Sequence, residues 1–199
     1  WSARVQIIDN VNETVGKHLA NDIRKGSRLS IAAACFSIYA YRELRRQLAG
    51  IDELRFIFTS PTFVTEQTPK EAREFYIPRL SRERGICGTE FEVRLRNELT
   101  QRAIAKECAD WLRRKATFRS NVTDERMMGF MNVDDATYMP LNGFTTVDLG
   151  CERGNNVYYP VQKTDSRENA GYYLRLFDQL WADKTRFQDV TEAVIAGLS

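Results

Sequence analysis

Leu29-Ser30-Ile31-Ala32-Ala33-Ala34-Cys35-Phe36 and, after a short helical stretch, Leu54-Arg55-Phe56-Ile57-Phe58-Thr59 are the segments that decide the fold. The first is a near-continuous apolar run, the pattern of a strand buried on both faces. Leu44 and Leu48 between them mark a short helix that ends near Gly50. A β-α-β order of this kind places the two strands side by side and parallel, joined by a right-handed crossover.

Working outward, Val11, Val15, Leu19 and Ile23 recur at helical spacing, and Gly26 stops the helix before the first strand. On the other side, Thr68-Pro69-Lys70-Glu71 has the composition of a helix start. Leu99, Ile104, Cys108, Trp111 and Leu112 then share one face of a long helix predicted over 97–115. Ala116 to Ser120 reads as a strand, with further short strands at Met127 to Val133, Thr137 to Leu141 and Asn156 to Gln162. Asp165-Ser166-Arg167-Glu168 fits a helix-opening cap, and the following helix turns Tyr173, Leu176, Phe177, Leu180 and Trp181 inward. The expected fold class is α/β: a mixed, largely parallel sheet flanked by helices on both faces. Residues 1–183 make up this domain, and 184–199 form a C-terminal helix expected to lead into a further region.

Composition narrows the function. The 199 residues are 43% hydrophobic, enough for one packed core, and the net charge of +2 gives no global pull toward nucleic acid. No segment reaches the ~18 consecutive apolar residues that a membrane helix needs, so no membrane partner is expected. Cys35, Cys87, Cys108 and Cys151 are far apart and form no CxxC pair, which reads as reduced thiols in the cytoplasm.

The motifs of several enzyme classes are missing. His18 is the only histidine, and it lacks the companions a zinc site requires. There is no GxxxxGK[ST] or GxGxxG loop and no GxSxG elbow. Asp134-Asp135 reads as a solvated turn. Arginine is the suggestive excess: Arg42, Arg45 and Arg46 share one helix, Arg79, Arg82 and Arg84 follow, and Arg113, Arg114 and Lys115 end the long helix. Basic side chains at a helix C-terminus complement its dipole, and they also suit phosphate contacts. Arg45, Arg46, Arg113, Arg114, Lys115 and Arg119 are the nucleic-acid-binding candidates.

The order of elements, with Ala34-Cys35-Phe36-Ser37, Arg55 to Thr59, Phe118-Arg119 and Leu176-Phe177-Asp178-Gln179-Leu180-Trp181, resembles the phospholipase D-like domain at the N-terminus of bacterial superfamily 2 (SNF2-type) DNA helicases. Glu74-Phe75-Tyr76-Ile77-Pro78 and Gly88-Thr89-Glu90-Phe91-Glu92 resemble a branch of the same group. In active relatives an HxK motif supplies the nucleophilic histidine and a phosphate-holding lysine, followed by a GSSN-like turn and an acid. Here Met127-Met128-Gly129-Phe130-Met131-Asn132-Val133 matches that stretch, so Met128 stands for the histidine and Phe130 for the lysine. The turn becomes Pro140-Leu141-Asn142-Gly143-Phe144-Thr145, with Asn142 and Thr145 as remnants, and Gly154-Asn155-Asn156-Val157 replaces the acidic segment.

Methionine and phenylalanine can neither attack phosphorus nor stabilise a phosphorane. The resemblance therefore implies a non-catalytic accessory domain of a bacterial DNA helicase or ATPase, serving DNA contact, dimerisation or docking. It implies no cofactor for this domain, with ATP and magnesium belonging to a helicase region of the same polypeptide. DNA, a second copy and that helicase region are the implied partners. The alternative is a phosphodiesterase or nuclease with an unconventional nucleophile, Cys151 or Tyr138, though neither has an evident base beside it. A small-molecule-binding α/β domain is a third reading, for which no residue names a ligand.

Overall fold

The computed structural model describes residues 5–60, 98–152 and 160–198. Eight strands form one sheet: β1 (Val5–Ile8), β2 (Arg28–Ala33), β3 (Glu53–Phe58), β4 (Ala116–Asn121), β5 (Phe130–Val133), β6 (Ala136–Met139), β7 (Val161–Thr164) and β8 (Phe187–Asp189). The five helices among the described residues are α1 (Val15–Asp22), α2 (Ile38–Leu48), α3 (Glu98–Lys115), α4 (Arg167–Ala182) and α5 (Thr191–Leu198). The strand order is β1-β7-β6-β5-β2-β3-β4-β8. None of these helices is long and apolar enough to cross a membrane.

The sheet is mixed but not largely parallel. Only β2–β3 and β3–β4 run parallel, while β1–β7, β7–β6, β6–β5, β5–β2 and β4–β8 are antiparallel. The reason is connection length. Val133 and Ala136 are separated by two residues, and Asp134 takes φ 49°, a tight reversal that can only return the chain antiparallel. The Asp134 carboxylate pins this turn by accepting from the Ser27 hydroxyl at 2.7 Å and the Arg28 amide at 2.9 Å. The Asp134-Asp135 pair is thus a turn, and one tied to the start of β2.

Alternation along the strands separates two faces. Leu29, Ile31, Leu54, Phe56, Phe118, Met131 and Tyr138 face α1, α2, α3 and α5 in the main core. Ala32, Ile57 and Phe130 face α4, which covers them with Phe177, Tyr173 and Trp181. Helices therefore flank both faces, one of them by α4 alone among the described residues. In the main core the rings of Phe36, Phe56, Phe58 and Phe118 lie 4.9–5.8 Å apart, edge-on, tilted or stacked, adding ring–ring attraction to area burial. Trp111 is buried there too, and its indole N–H donates to the Leu48 carbonyl at 2.8 Å, tying α3 to the end of α2.

The elements differ from expectation mainly at the edges. Val11 is 75% exposed and outside α1, because the chain turns at Asp9 and is capped at Thr14, whose hydroxyl accepts the Lys17 amide. Strands β1 and β8 were not expected. Residues 187–198 add β8 to the edge of β4 and place Val194, Ile195 and Leu198 of α5 in the main core. Strand β7 extends to Thr164, and the 156–159 part of the expected strand lies outside the described residues. The segment from Thr68 to Gly88, Cys87 included, also lies outside them. Cys35 and Cys108 are buried free thiols and Cys151 an exposed one.

The joint between β2 and β5 depends on Gly129. A Cβ there would collide with the Leu141 carbonyl oxygen and come within 2.8 Å of the Ala32 carbonyl oxygen. Both obstacles are backbone atoms. We expect Gly129→Ala to destabilise the protein by about 3 kcal/mol or more, as forced overpacking with no flexible neighbour to yield, measured by denaturant unfolding. A second expectation concerns Asp9, whose carboxylate accepts the backbone amides of Val11, Asn12 and Glu13 and the Asn12 side-chain amide. These bonds, Val11's first, hold its pKa at about 2 against an ordinary 3.8. A depressed folded-state value stabilises the fold above about 3.8 and ceases to do so as pH falls through about 2. The Asp9→Ala variant should lose less stability across that acid window than the parent, as read from melting curves at successive pH values.

Candidate functional site

Met128 and Phe130, which the sequence resemblance aligns with a histidine and a lysine, lie where the chain leaves β2. Beyond Ala33, the Ala34 amide donates to the Asn142 carbonyl at 2.8 Å, the Phe144 amide to the Cys35 carbonyl at 2.9 Å, and the Ser37 amide to the Phe144 carbonyl at 2.9 Å. The 141–144 segment thus runs alongside 34–37 as a short continuation of the sheet. Ser37 then caps α2, its hydroxyl accepting the Tyr39 amide at 3.1 Å. Leu141 is held to Gly129 by an amide-to-carbonyl bond of 2.9 Å, which fixes this segment against Met128-Gly129-Phe130.

Met128 is 52% exposed. Phe130 is buried on the α4 face, its ring 5.4 Å from Tyr173 and 6.1 Å from Phe177. Packed aromatic rings thus enclose the Phe130 side chain. The methionine-rich stretch divides accordingly: Met127 packs against this second core, Met131 lies in the main core, and Met128 alone points outward.

Of the remnant turn, Asn142 is exposed and Thr145 is buried. The Thr145 hydroxyl donates to Asp148 Oδ2 at 2.5 Å and accepts the Asp148 amide at 3.2 Å. Asp148 is a buried acid that the sequence did not single out. Its signal was a threonine followed three residues later by an acid, the reciprocal capping pattern. A side chain on Gly143 would meet Cys35 Sγ at 2.6 Å and Asp148 Oδ2 at 3.0 Å, so thiol, carboxylate and backbone fill this corner. Next to it, Asn121 joins the ends of β3 and β4, donating to the Thr59 and Glu125 carbonyls and accepting from the Thr123 amide and hydroxyl. Gly154-Asn155-Asn156-Val157 lies outside the described residues.

The alternative nucleophiles are held protonated. Burial, then its hydrogen bond to Asp22 and the Asp22 charge, pushes the Tyr138 phenol far above its usual range. Asp22 is itself engaged by Lys163 Nζ at 2.6 Å, so the cluster is a closed ion pair rather than an open base. Although Cys151 is an exposed residue, partial burial of its thiol, with Glu43 and Glu152 nearby, pushes it up to about 12. His18 has a local partner: its Nε2 lies 3.0 Å from Glu13 Oε2. Among the described residues no three histidine, cysteine or acidic side chains gather to hold a metal.

The arginines are sorted by the fold. Arg45 and Arg46 occupy the last turn of α2, and Arg113, Arg114 and Lys115 the last turn of α3. Both turns end beside the Gly50-Ile51 loop, where Lys115 Nζ donates to the Ile51 carbonyl at 2.7 Å. The Gly26 amide bonds the Gly50 carbonyl, which brings exposed Arg24 and Lys25 to the same end. This basic end lies at the amino-terminal ends of β2, β3 and β4, opposite Met128 and Phe130. Acids temper it: Arg45 faces Glu107 at 3.7 Å and Arg113 faces Asp110 at 2.9 Å, all four about half exposed. Such surface pairs contribute little to stability.

Arg119 does not belong with this group. Because Phe118 faces the main core, strand alternation turns Arg119 to the α4 face. There its guanidinium lies 4.2 Å from the Trp181 ring and donates to the Trp181 carbonyl. Arg79, Arg82 and Arg84 lie outside the described residues.

Restoring the motif letters should not restore the chemistry. We expect Met128→His combined with Phe130→Lys to show no hydrolysis of bis(p-nitrophenyl) phosphate, because the lysine would be aimed at Phe177 and Tyr173. The Phe130→Lys change should also destabilise the fold by at least the about 3–5 kcal/mol typical of Phe→Ala in a core, whereas Met128→His alone should leave the melting temperature nearly unchanged.

No family model matches the chain, and no curated protein does either. Among solved structures it is similar to TrmBL2, an archaeal chromatin protein whose structure "shows a novel mode of DNA binding", with TM-score 0.45 and 11% identity over 89% of this chain and 52% of that one. It is also similar to NucT from Helicobacter pylori, with TM-score 0.47 and 13% identity over 89% of this chain and 95% of that one. The chain spans about half the length of the TrmBL2 chain.

Proposed function

We propose that this chain is a non-catalytic phospholipase D-like accessory domain that contacts the DNA phosphate backbone through its basic end. The observation that carries the proposal is the convergence of Arg24, Lys25, Arg45, Arg46, Arg113, Arg114 and Lys115 on one end, from three separate stretches of chain. Long cationic side chains on helix C-termini, with no backbone amide cradle, suit sequence-independent phosphate contact. The non-catalytic part is supported by Phe130, packed on Tyr173 and Phe177 where a lysine would have to reach a phosphate. A role beside a DNA helicase or ATPase region, with ATP and magnesium bound there and none needed here, rests on the sequence resemblance. A nuclease using Cys151 or Tyr138 is disfavoured by the environments that keep both groups protonated.

The test is fluorescence anisotropy of labelled DNA across a salt series, with cleavage followed in the same samples. The expected result is binding that weakens steeply with salt, without cleavage. Arg46→Ala with Arg114→Ala should weaken binding several-fold and flatten the log–log salt slope by roughly 1 to 2, since each lost phosphate contact removes about 0.9. Arg119→Ala should leave the slope unchanged while lowering stability. Binding that ignores the Arg46 and Arg114 changes would remove the basic end from the account, and cleavage that copurifies with the domain would overturn its non-catalytic status.

A further inference from the structure

We propose that Asn142 is a site of spontaneous covalent modification, where the Gly143 amide attacks the Asn142 carboxamide and converts it to a carboxylate. Asn142-Gly143 is the one Asn-Gly pair in the sequence. Glycine has no Cβ, so nothing beside its nitrogen obstructs the approach to the preceding side chain. Asn142 is exposed, which gives water access to the reacting group. The attacking nitrogen is also unengaged. The Leu141 and Phe144 amides donate to the Gly129 and Cys35 carbonyls, whereas the Gly143 amide between them donates to no partner among the described residues.

Packing imposes the glycine. A Cβ at this position would meet Cys35 Sγ at 2.6 Å, Asp148 Oδ2 at 3.0 Å and Thr145 Cγ2 at 3.2 Å. The corner that excludes a side chain at Gly143 thereby keeps the nitrogen next to Asn142 unhindered. Asn121 and Asn132 lack these conditions. Both are buried, their carboxamides are hydrogen-bonded, and each is followed by a stiff, β-branched valine.

In the reaction the Gly143 nitrogen loses its proton to solvent and bonds to Asn142 Cγ. The side-chain nitrogen takes up a proton and leaves as ammonia. Water then opens the resulting succinimide at either carbonyl. One opening gives aspartate, with the backbone unchanged and one negative charge added. The other gives isoaspartate, with an extra methylene in the main chain. The reacting bond is fastened on both sides: the Ala34 amide donates to the Asn142 carbonyl at 2.8 Å, and Phe144 exchanges bonds of 2.9 Å with Cys35 and Ser37. A lengthened main chain cannot keep both sets in register, and buried backbone groups do not go unpaired without cost. The isoaspartyl form therefore releases 141–144 from 34–37 and uncovers the buried Cys35 thiol. None of this rests on DNA contact, which lies at the opposite end of the parallel strands.

The experiment is peptide mapping by mass spectrometry after prolonged incubation of the full, folded chain at neutral and at mildly alkaline pH. The expected result is that the peptide containing Asn142 gains the mass difference between an amide and an acid, with isoaspartate identified by electron-transfer fragmentation. Conversion should run several-fold faster at the higher pH, because the deprotonated amide nitrogen is the nucleophile, while Asn121 and Asn132 keep their amides. Brief alkylation of the same samples, read on the Cys35 peptide alone, should rise several-fold in step with the isoaspartate content. It should stay at its starting level in Asn142→Gln, whose longer side chain would have to close a larger ring. An Asn142 that persists as the amide overturns the proposal. So does conversion of Asn121 and Asn132 at the same pace, which marks a reaction of unfolded chains, and Cys35 labelling that ignores the isoaspartate overturns the release of the segment.

Discussion

The structure turns on the close approach of three backbone segments at Gly129. Only there can β5 come close enough to β2 for the Leu141 amide to reach the Gly129 carbonyl while Ala32 packs from the other side. That contact sets where the 141–149 segment lies, and with it the closed corner of Thr145, Asp148 and Cys35. It also sets the phase of β5. Phe130, the next residue, must face α4, and Met131 must face the main core. A single missing side chain thus decides that Phe130 becomes core and Met128 remains at the surface.

The two faces of the sheet handle charge differently. On the α4 face, Arg55 lies between Asp178 at 2.9 Å, the Ser30 hydroxyl at 3.0 Å and the rings of Phe177 and Trp181. Its Nε is buried with no hydrogen-bond partner. Rings there take the place of part of the lost hydration. At the basic end the arginines instead sit at helix C-termini, where each complements the dipole by about 0.3–1 kcal/mol. Dipole complementarity explains one or two cations per helix. It does not explain Arg24 and Lys25 joining them from the turn before β2, and that surplus is what favours an external polyanion.

The parallel centre of the fold was legible because β2 and β3 are long, apolar and separated by a helix-length stretch. Ser166 was legible as a cap for the same local reason, and its hydroxyl accepts the Asn169 amide at 3.1 Å. In the antiparallel half, strands overlapping β5, β6 and β7 were expected but their antiparallel pairing was not, and β1 and β8 were missed. With three or four residues each, these strands are too short for alternation to declare itself against neighbouring turns. At the site, Met128 and Phe130 stood in the sequence as the residues aligned with the resembled motif, whereas their opposite placements required the Gly129 approach. Asp148 was missed because a lone acid acquires meaning only when the loop closes on Thr145. Arg119 was misplaced although Phe118 beside it was an inward residue, so strand alternation alone could have sent it to the other face.

The way α4 covers the second face has a dynamic consequence. Of α4, only Ala170 and Phe177 are fully buried, and beside the apolar cluster beneath it lie the guanidinium groups of Arg55 and Arg119. Lifting α4 would return Arg55 and Arg119 to water, and their regained hydration offsets part of the lost ring contact. The main core, built from the other four helices, would be left intact. Few buried apolar anchors are the mark of a segment that opens on its own, so α4 is expected to open at lower cost than the main core and its amides to exchange faster than those of β2 and β3.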